Sequence, residues 1–254
     1  MAHRKSRLNR AIRILSTSLC VIAGIAIILI LTGPRVGAVL YSLSGPRLPQ
    51  LSEVENRVWL NQGWSTEMAD KYHYITQGSD AFLVPFSWML ALEQPASSLF
   101  TMPFRQRGRF LADEYFLRFG FIKGEVSENN PHGLAVGLTT VEFQTLFGLS
   151  QKETGLGLTC AGCHTARLNY ENTEYLIDGG PASTDLAQVT QALGAALGQT
   201  LVSSKLPSII GRRFDRFAHA VLGADGYNDA NIVRLKEDLS SAVAFLQKMP
   251  NDVE

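Results

Sequence analysis

Residues Gly157–Ala166 read GLTCAGCHTA and hold two of the three cysteines in a chain of 254 residues. Cys160 and Cys163 stand three apart, and His164 follows at once. On a helical turn, positions i, i+3 and i+4 share one face. Two thiols and an imidazole so placed can form thioethers to the two vinyl edges of a porphyrin and set the imidazole under its iron. Cys-x-x-Cys-His is the attachment signature of a c-type haem. The small residues Ala161 and Gly162 would let the ring come close to the backbone. The spacing therefore predicts one covalently bound haem c. Cys160 and Cys163 are its attachment points, and His164 is its proximal ligand and the metal's protein donor.

Three other uses of the pair fit less well. A structural zinc site needs four ligands. It would have to recruit two from His73, His132, His164 and His219, at no known finger spacing. A redox disulfide needs a strand running into a helix, and nothing before Gly157 reads as a strand. A purely structural disulfide across two residues closes almost no loop and stabilises little.

The charge along the chain is uneven. Formal net charge is zero, yet residues 1–52 carry seven bases and no acid, so sixteen bases face twenty-three acids beyond them. An acidic body is a poor nucleic-acid binder, because phosphate contacts need clustered Lys and Arg. Residues 1–13 read as a basic cytoplasmic segment. Residues 14–32 are apolar and uncharged, and approach the ~20 residues needed to cross a bilayer. They read as an uncleaved transmembrane signal anchor, with the positive flank inside. A cleaved signal peptide is the rival, but its apolar core is shorter. The expected location is thus the inner membrane, single-pass, with the body in the periplasm. Cys20 lies within the apolar run and reads as a small apolar residue. Residues 33–52, with Pro34, Pro46 and Pro49, read as a linker. Residues 53–254 form the expected haem domain.

That body reads as mainly α, a cytochrome c-like domain with long loops and a short β-hairpin. Ser65 is a plausible cap for a helix over STEMADKYHYIT. FRQRGRFLADEYFLRFG reads as a helix ended by Gly120. Asp185 with Gln188 three residues on opens a helix whose face is Leu186, Val189, Leu193 and Leu197. NDANIVRLKEDLSSAVAFLQKMP repeats the pattern. Between motif and helices, RLNYENTEYLIDGGP reads as a hairpin turning at Glu171-Asn172.

The blocks SENNPHGLAVGLT (127–139), GLTCAGCHTARLNY (157–170) and IDGGPASTDLA (177–187) resemble the N-terminal haem region of rubber oxygenase-like di-haem c-type cytochromes. These are relatives by fold of the bacterial di-haem cytochrome c peroxidases. LNQGWSTEMADKYHYITQGS and LVPFSWMLALEQ resemble the segments before that region, so the likeness covers roughly residues 55–245. It implies that Cys160 and Cys163 are the thioether cysteines and His164 the proximal ligand. It further implies a first haem whose sixth position is open to dioxygen, and a second haem that relays electrons. This chain has one CxxCH where the family has two, and its sequence ends at Glu254 where the family continues. The expectation is an N-terminal haem half with a redox function: electron transfer, or oxygen or peroxide activation by a haem-dependent oxidoreductase. Its partners would be a redox protein or a second haem subunit. The alternative is a non-catalytic haem-binding sensor or assembly half that requires a partner chain.

Other residues are weaker candidates. Met249-Pro250 stands downstream of the motif, as an axial methionine would, but methionine at a helix end is usually packing. His219 and His73 read as packed or surface histidines, His73 among aromatics. His132 stands where the family block would carry an acid and is not carried over as a ligand. Arg105, Arg107 and Arg109 suit a propionate but read as a solvated face. Trp59, Trp64 and Trp88 read as core anchors.

Overall fold

The computed structural model describes residues 44–51, 54–75, 84–97, 105–144, 152–207 and 212–246. All lie in the second of two units, Leu43–Glu254. Five strands are described: β1 (Asn56–Trp59), β2 (Leu138–Gln144), β3 (Lys152–Leu158), β4 (Thr165–Tyr170) and β5 (Thr173–Asp178). The helices are α1 (Thr66–Tyr74), α2 (Phe86–Ala91), α3 (Asp113–Phe116), α4 (Cys160–His164), α5 (Leu186–Ser203), α6 (Arg212–Gly226) and α7 (Asp229–Leu246).

Glu171 and Asn172 both adopt positive φ, 46° and 61°. Such a two-residue turn matches the twist of the strands it joins, and β4 and β5 pair antiparallel from Tyr170↔Thr173 to Thr165↔Asp178. The hairpin does not stand alone. β1 adds to it parallel to β5, giving the mixed order β1-β5-β4. Arg57 on β1 and Arg167 on β4 both pair with the buried Glu174 of β5, which ties the three strands together. A second sheet pairs β2 with β3, Leu138 opposite Leu158.

The helical layer holds most of the core. Asp185 accepts from the backbone N–H of Gln188 at 2.9 Å and from its side chain at 2.7 Å, which fixes the start of α5. α5 packs on α6 and α7, and α2 packs on α6 and on β3. Val189, Leu193 and Leu197 of α5 meet Leu235 and Leu239 of α7, Phe217 of α6 and the aromatic set Phe110, Phe116, Phe119. A smaller cluster of Tyr74, Ile122, Val136, Ala161 and Leu176 lies under the cysteine motif.

The fold class expected from sequence is corrected. The chain is not mainly α with one hairpin; helices are combined with a mixed sheet and a second antiparallel pair. The transmembrane helix is corrected too. Among the described residues no helix is long and apolar enough to cross a membrane, and the stretch expected to do so, residues 14–32, lies outside them. The longest helices, α5 and α7, are interrupted by polar side chains such as Gln188, Gln191 and Gln199 or Arg234, Lys236 and Glu237. The single-pass inner-membrane placement with a periplasmic body is corrected to that extent: no described helix supports it. Part of the expected linker lies along the body: Gly45 N–H donates to Ala96 O at 2.9 Å, and Arg118 grips the carbonyls of Leu48 and Pro49.

The helix read over FRQRGRFLADEYFLRFG is also shorter than expected. Residues 105–109 form no helix and 110–111 turn, with Gln94 and Gly108, and Leu92 and Phe110, joined by backbone hydrogen bonds of 2.9 Å. Only α3 and one 3-10 turn follow, closed by Gly120 at φ 93°. A Cβ there would fall 2.0 Å from Ser183 O, so glycine is required.

One buried cation ties the helices to this loop. Arg213 of α6 donates to the carbonyls of Glu93 (2.6 Å) and Gln94 (3.0 Å) and to Thr200 Oγ1 of α5 (3.0 Å). Arg216 clamps the buried Glu93 carboxylate at 2.6 and 3.2 Å. Burial pushes the Arg213 guanidinium down to about 10, opposed by Glu93, so it stays charged at neutral pH. Arg213→Ala leaves these carbonyls and Glu93 short of partners. It should lower the free energy of unfolding by about 3 kcal/mol in urea titrations. Arg213→Lys should lose less, because it keeps the charge but not the fork.

Candidate functional site

The strand context denied to the motif from sequence is present. β3 runs through Thr159 directly into α4, the single turn that carries Cys160, Cys163 and His164. Its glycines, Gly155 and Gly157, hide it from a propensity reading. The β-branched run Thr139–Val141 opposite supplies the pairing.

Both ends of the turn are held by backbone. At the start, Thr159 N–H donates to Gly137 O at 2.9 Å and Thr159 Oγ1 to His73 O at 2.9 Å. At the end, His164 O accepts from Gly179 N–H at 2.7 Å and Tyr72 Oη at 2.6 Å, and Cys163 O from Ala182 N–H at 3.2 Å. Burial raises the Tyr72 phenol, with the Gly179 N–H acting the other way, so it remains a donor at neutral pH.

The small residues of the motif serve this packing. Ala161 is buried in the small core cluster, and Gly162 lies on Gly137. A Cβ on Gly137, at φ 90°, would stand 2.3 Å from Gly162 Cα and 2.4 Å from its nitrogen. With that side turned inward, Cys163 and His164 are exposed and Cys160 is half-buried; both thiols are free. The three residues singled out in the sequence thus come together on one accessible turn.

The expected metal-binding character is corrected. Among the described residues no three His, Cys, Asp or Glu side chains gather closely enough to hold a metal ion. This removes the zinc alternative as well, and leaves His164 as a single donor.

The remaining candidates are scattered. His73 packs against Trp59, with ring centroids 4.6 Å apart, but its Nε2 also meets both oxygens of the buried Asp178, at 2.9 and 3.0 Å. Thr165 Oγ1 donates to the same carboxylate at 3.0 Å. Sequence reading missed Asp178, which is 105 positions from His73 and has no local signal that pairs it with a histidine. His219 is exposed and stacks on Tyr227, and His132 is exposed beside Phe86. Met249 lies outside the described residues. The three arginines do not converge: Arg109 donates to Ala91 O and Arg107 N–H to Glu93. Trp88 is in the core, whereas Trp59 and Trp64 are 40% and 38% exposed.

No protein-family model matches the chain. No solved structure matches it. The chain is similar to the uncharacterized protein y4iJ of Sinorhizobium fredii (strain NBRC 101917 / NGR234), 39% identical over 202 residues, which are 78% of this chain and 32% of that protein. The chain therefore spans about a third of the relative's length.

Two substitutions separate packing from presentation. Gly137→Ala forces both a left-handed backbone and a backbone clash, and should cost at least about 2 kcal/mol of stability in urea unfolding. Cys163→Ser, at an exposed position, should stay within about 0.5 kcal/mol of wild type.

Proposed function

We propose that Cys160 and Cys163 hold one haem c covalently, that His164 is its proximal ligand, and that the chain serves a redox function. One observation carries the reading. Both thiols are free, and Cys163 and His164 face outward on a single turn whose other side is occupied by Ala161 and Gly162. Attachment needs this presentation, and a haem asks for one protein donor here rather than a cluster. Bound at the turn, it would supply one-electron chemistry, or take dioxygen or peroxide where its far side is open. The chain's own part is positioning. Tyr72 and Gly179 hold the carbonyl of His164, Thr159 holds the start of the turn, and the Gly137–Gly162 contact sets its height.

Resemblance to the rubber oxygenase-like cytochromes supports oxygen or peroxide activation over simple electron carriage.

A second reading has one observation in its favour: β3 enters the Cys-x-x-Cys turn directly, as in dithiol redox sites. A turn of five residues has little macrodipole to stabilise a thiolate, and the adjoining His164 has no task in that chemistry.

The test is expression beside a haem-attachment apparatus, then haem staining after denaturing electrophoresis. The wild type should stain, and Cys160→Ala combined with Cys163→Ala should not. Carbon monoxide should shift the reduced Soret band of the wild type, as an open sixth position requires. His164→Ala should stain still but lose the wild-type spectrum. An unstained wild type contradicts the proposal, and an unshifted spectrum removes oxygen and peroxide activation.

A further inference from the structure

Behind the motif, β1, α1 and the 123–127 loop enclose a cleft of about 520 Å³ with His73 and Asp178 among its lining residues. We propose that this cleft binds a phenol-type ligand, an aromatic ring bearing a hydroxyl. The inference does not rest on the haem reading and goes beyond it.

The walls favour a flat apolar ring. Trp59 and Trp64 line the cleft and stay 40% and 38% exposed, although aromatic side chains of that size are usually covered. Both are held in place from behind, Trp59 by the His73 ring and Trp64 edge-on by Tyr72 at 4.9 Å. Val136 and Val126 add apolar lining. The volume lies in the range of small-molecule sites.

The polar groups of the cleft select the hydroxyl. Most are already engaged with the chain itself. Asn61 Oδ1 accepts from Gly63 N–H, Asp70 accepts from Asn129 Nδ2, Tyr74 Oη accepts from Glu125 N–H, and Arg57 pairs with Glu174. Gln62 and Glu125 are left at the rim, two planar polar side chains where a sugar needs several. His73 is different. Its Nε2 is fixed on Asp178, so the neutral ring keeps a lone pair on Nδ1. A hydroxyl donates to that lone pair. Asp178 is held in turn by Thr165 Oγ1, which fixes the imidazole's partner.

Fluorine NMR of the full chain labelled with fluorotryptophan tests this, because the third tryptophan, Trp88, is buried in the core and serves as the internal control. Phenol is titrated first. The Trp59 and Trp64 resonances should move saturably while that of Trp88 stays. Anisole, which lacks the donor, should bind roughly fivefold more weakly, the loss of about one hydrogen bond. His73→Phe should make phenol and anisole equal, and Trp64→Ala should weaken both. Should His73→Phe fail to fold, the phenol–anisole difference in wild type and the Trp64→Ala loss decide the matter. Absence of saturable shifts, equal binding of anisole in wild type, the same shifts from methyl glucoside, or movement of Trp88 together with the other two would each overturn the proposal.

Discussion

The contact of two glycine backbones, Gly137 on Gly162, is the constraint on which the site depends. No side chain fits between them, since a Cβ on Gly137 would lie 2.3 Å from Gly162 Cα. The close approach brings the start of β2 against the cysteine turn. It lets Gly137 O accept from Thr159 and Gly137 N–H donate to His73 O. β2, the end of α1 and the entry to α4 are thereby joined at one point. Ala161 then falls into the small cluster under the motif, and the remaining face of the turn has only one direction to point, outward.

The same arrangement links the turn to the sheet. His164 ends α4 and Thr165 begins β4, so the last residue of the motif is continuous with a strand. β5 returns beside it and supplies Asp178 to His73, and the next residue, Gly179, donates to the carbonyl of His164. A one-turn helix has little stability of its own. Here its geometry is set by neighbouring backbone at both ends, which is what a site presenting side chains to an external group requires.

Local signals were legible and distant ones were not. The Asp185–Gln188 pair announced α5, and Glu171-Asn172 announced the β4–β5 turn, because each acts within four residues. The CxxCH motif showed which side chains share a face, but not that Ala161 and Gly162 would be spent on packing against a loop some 25 positions earlier. β3 was hidden by Gly155 and Gly157; its partner strand, not its own propensity, makes it a strand. The aromatic run before Gly120 has the apolar content of a helix face, yet its first part pairs with residues 92–94 instead. The parallel pairing of β1 with β5 joins residues more than 110 apart and has no local signature.

Intact mass of the denatured full chain, expressed with a haem-attachment apparatus, reads out whether Cys160 and Cys163 carry haem. The expected mass shows a gain of one haem, mapped by proteolysis to the peptide containing Cys160 and Cys163. A chain of unmodified mass, or one lighter by two hydrogens with those cysteines joined as a disulfide, would contradict it.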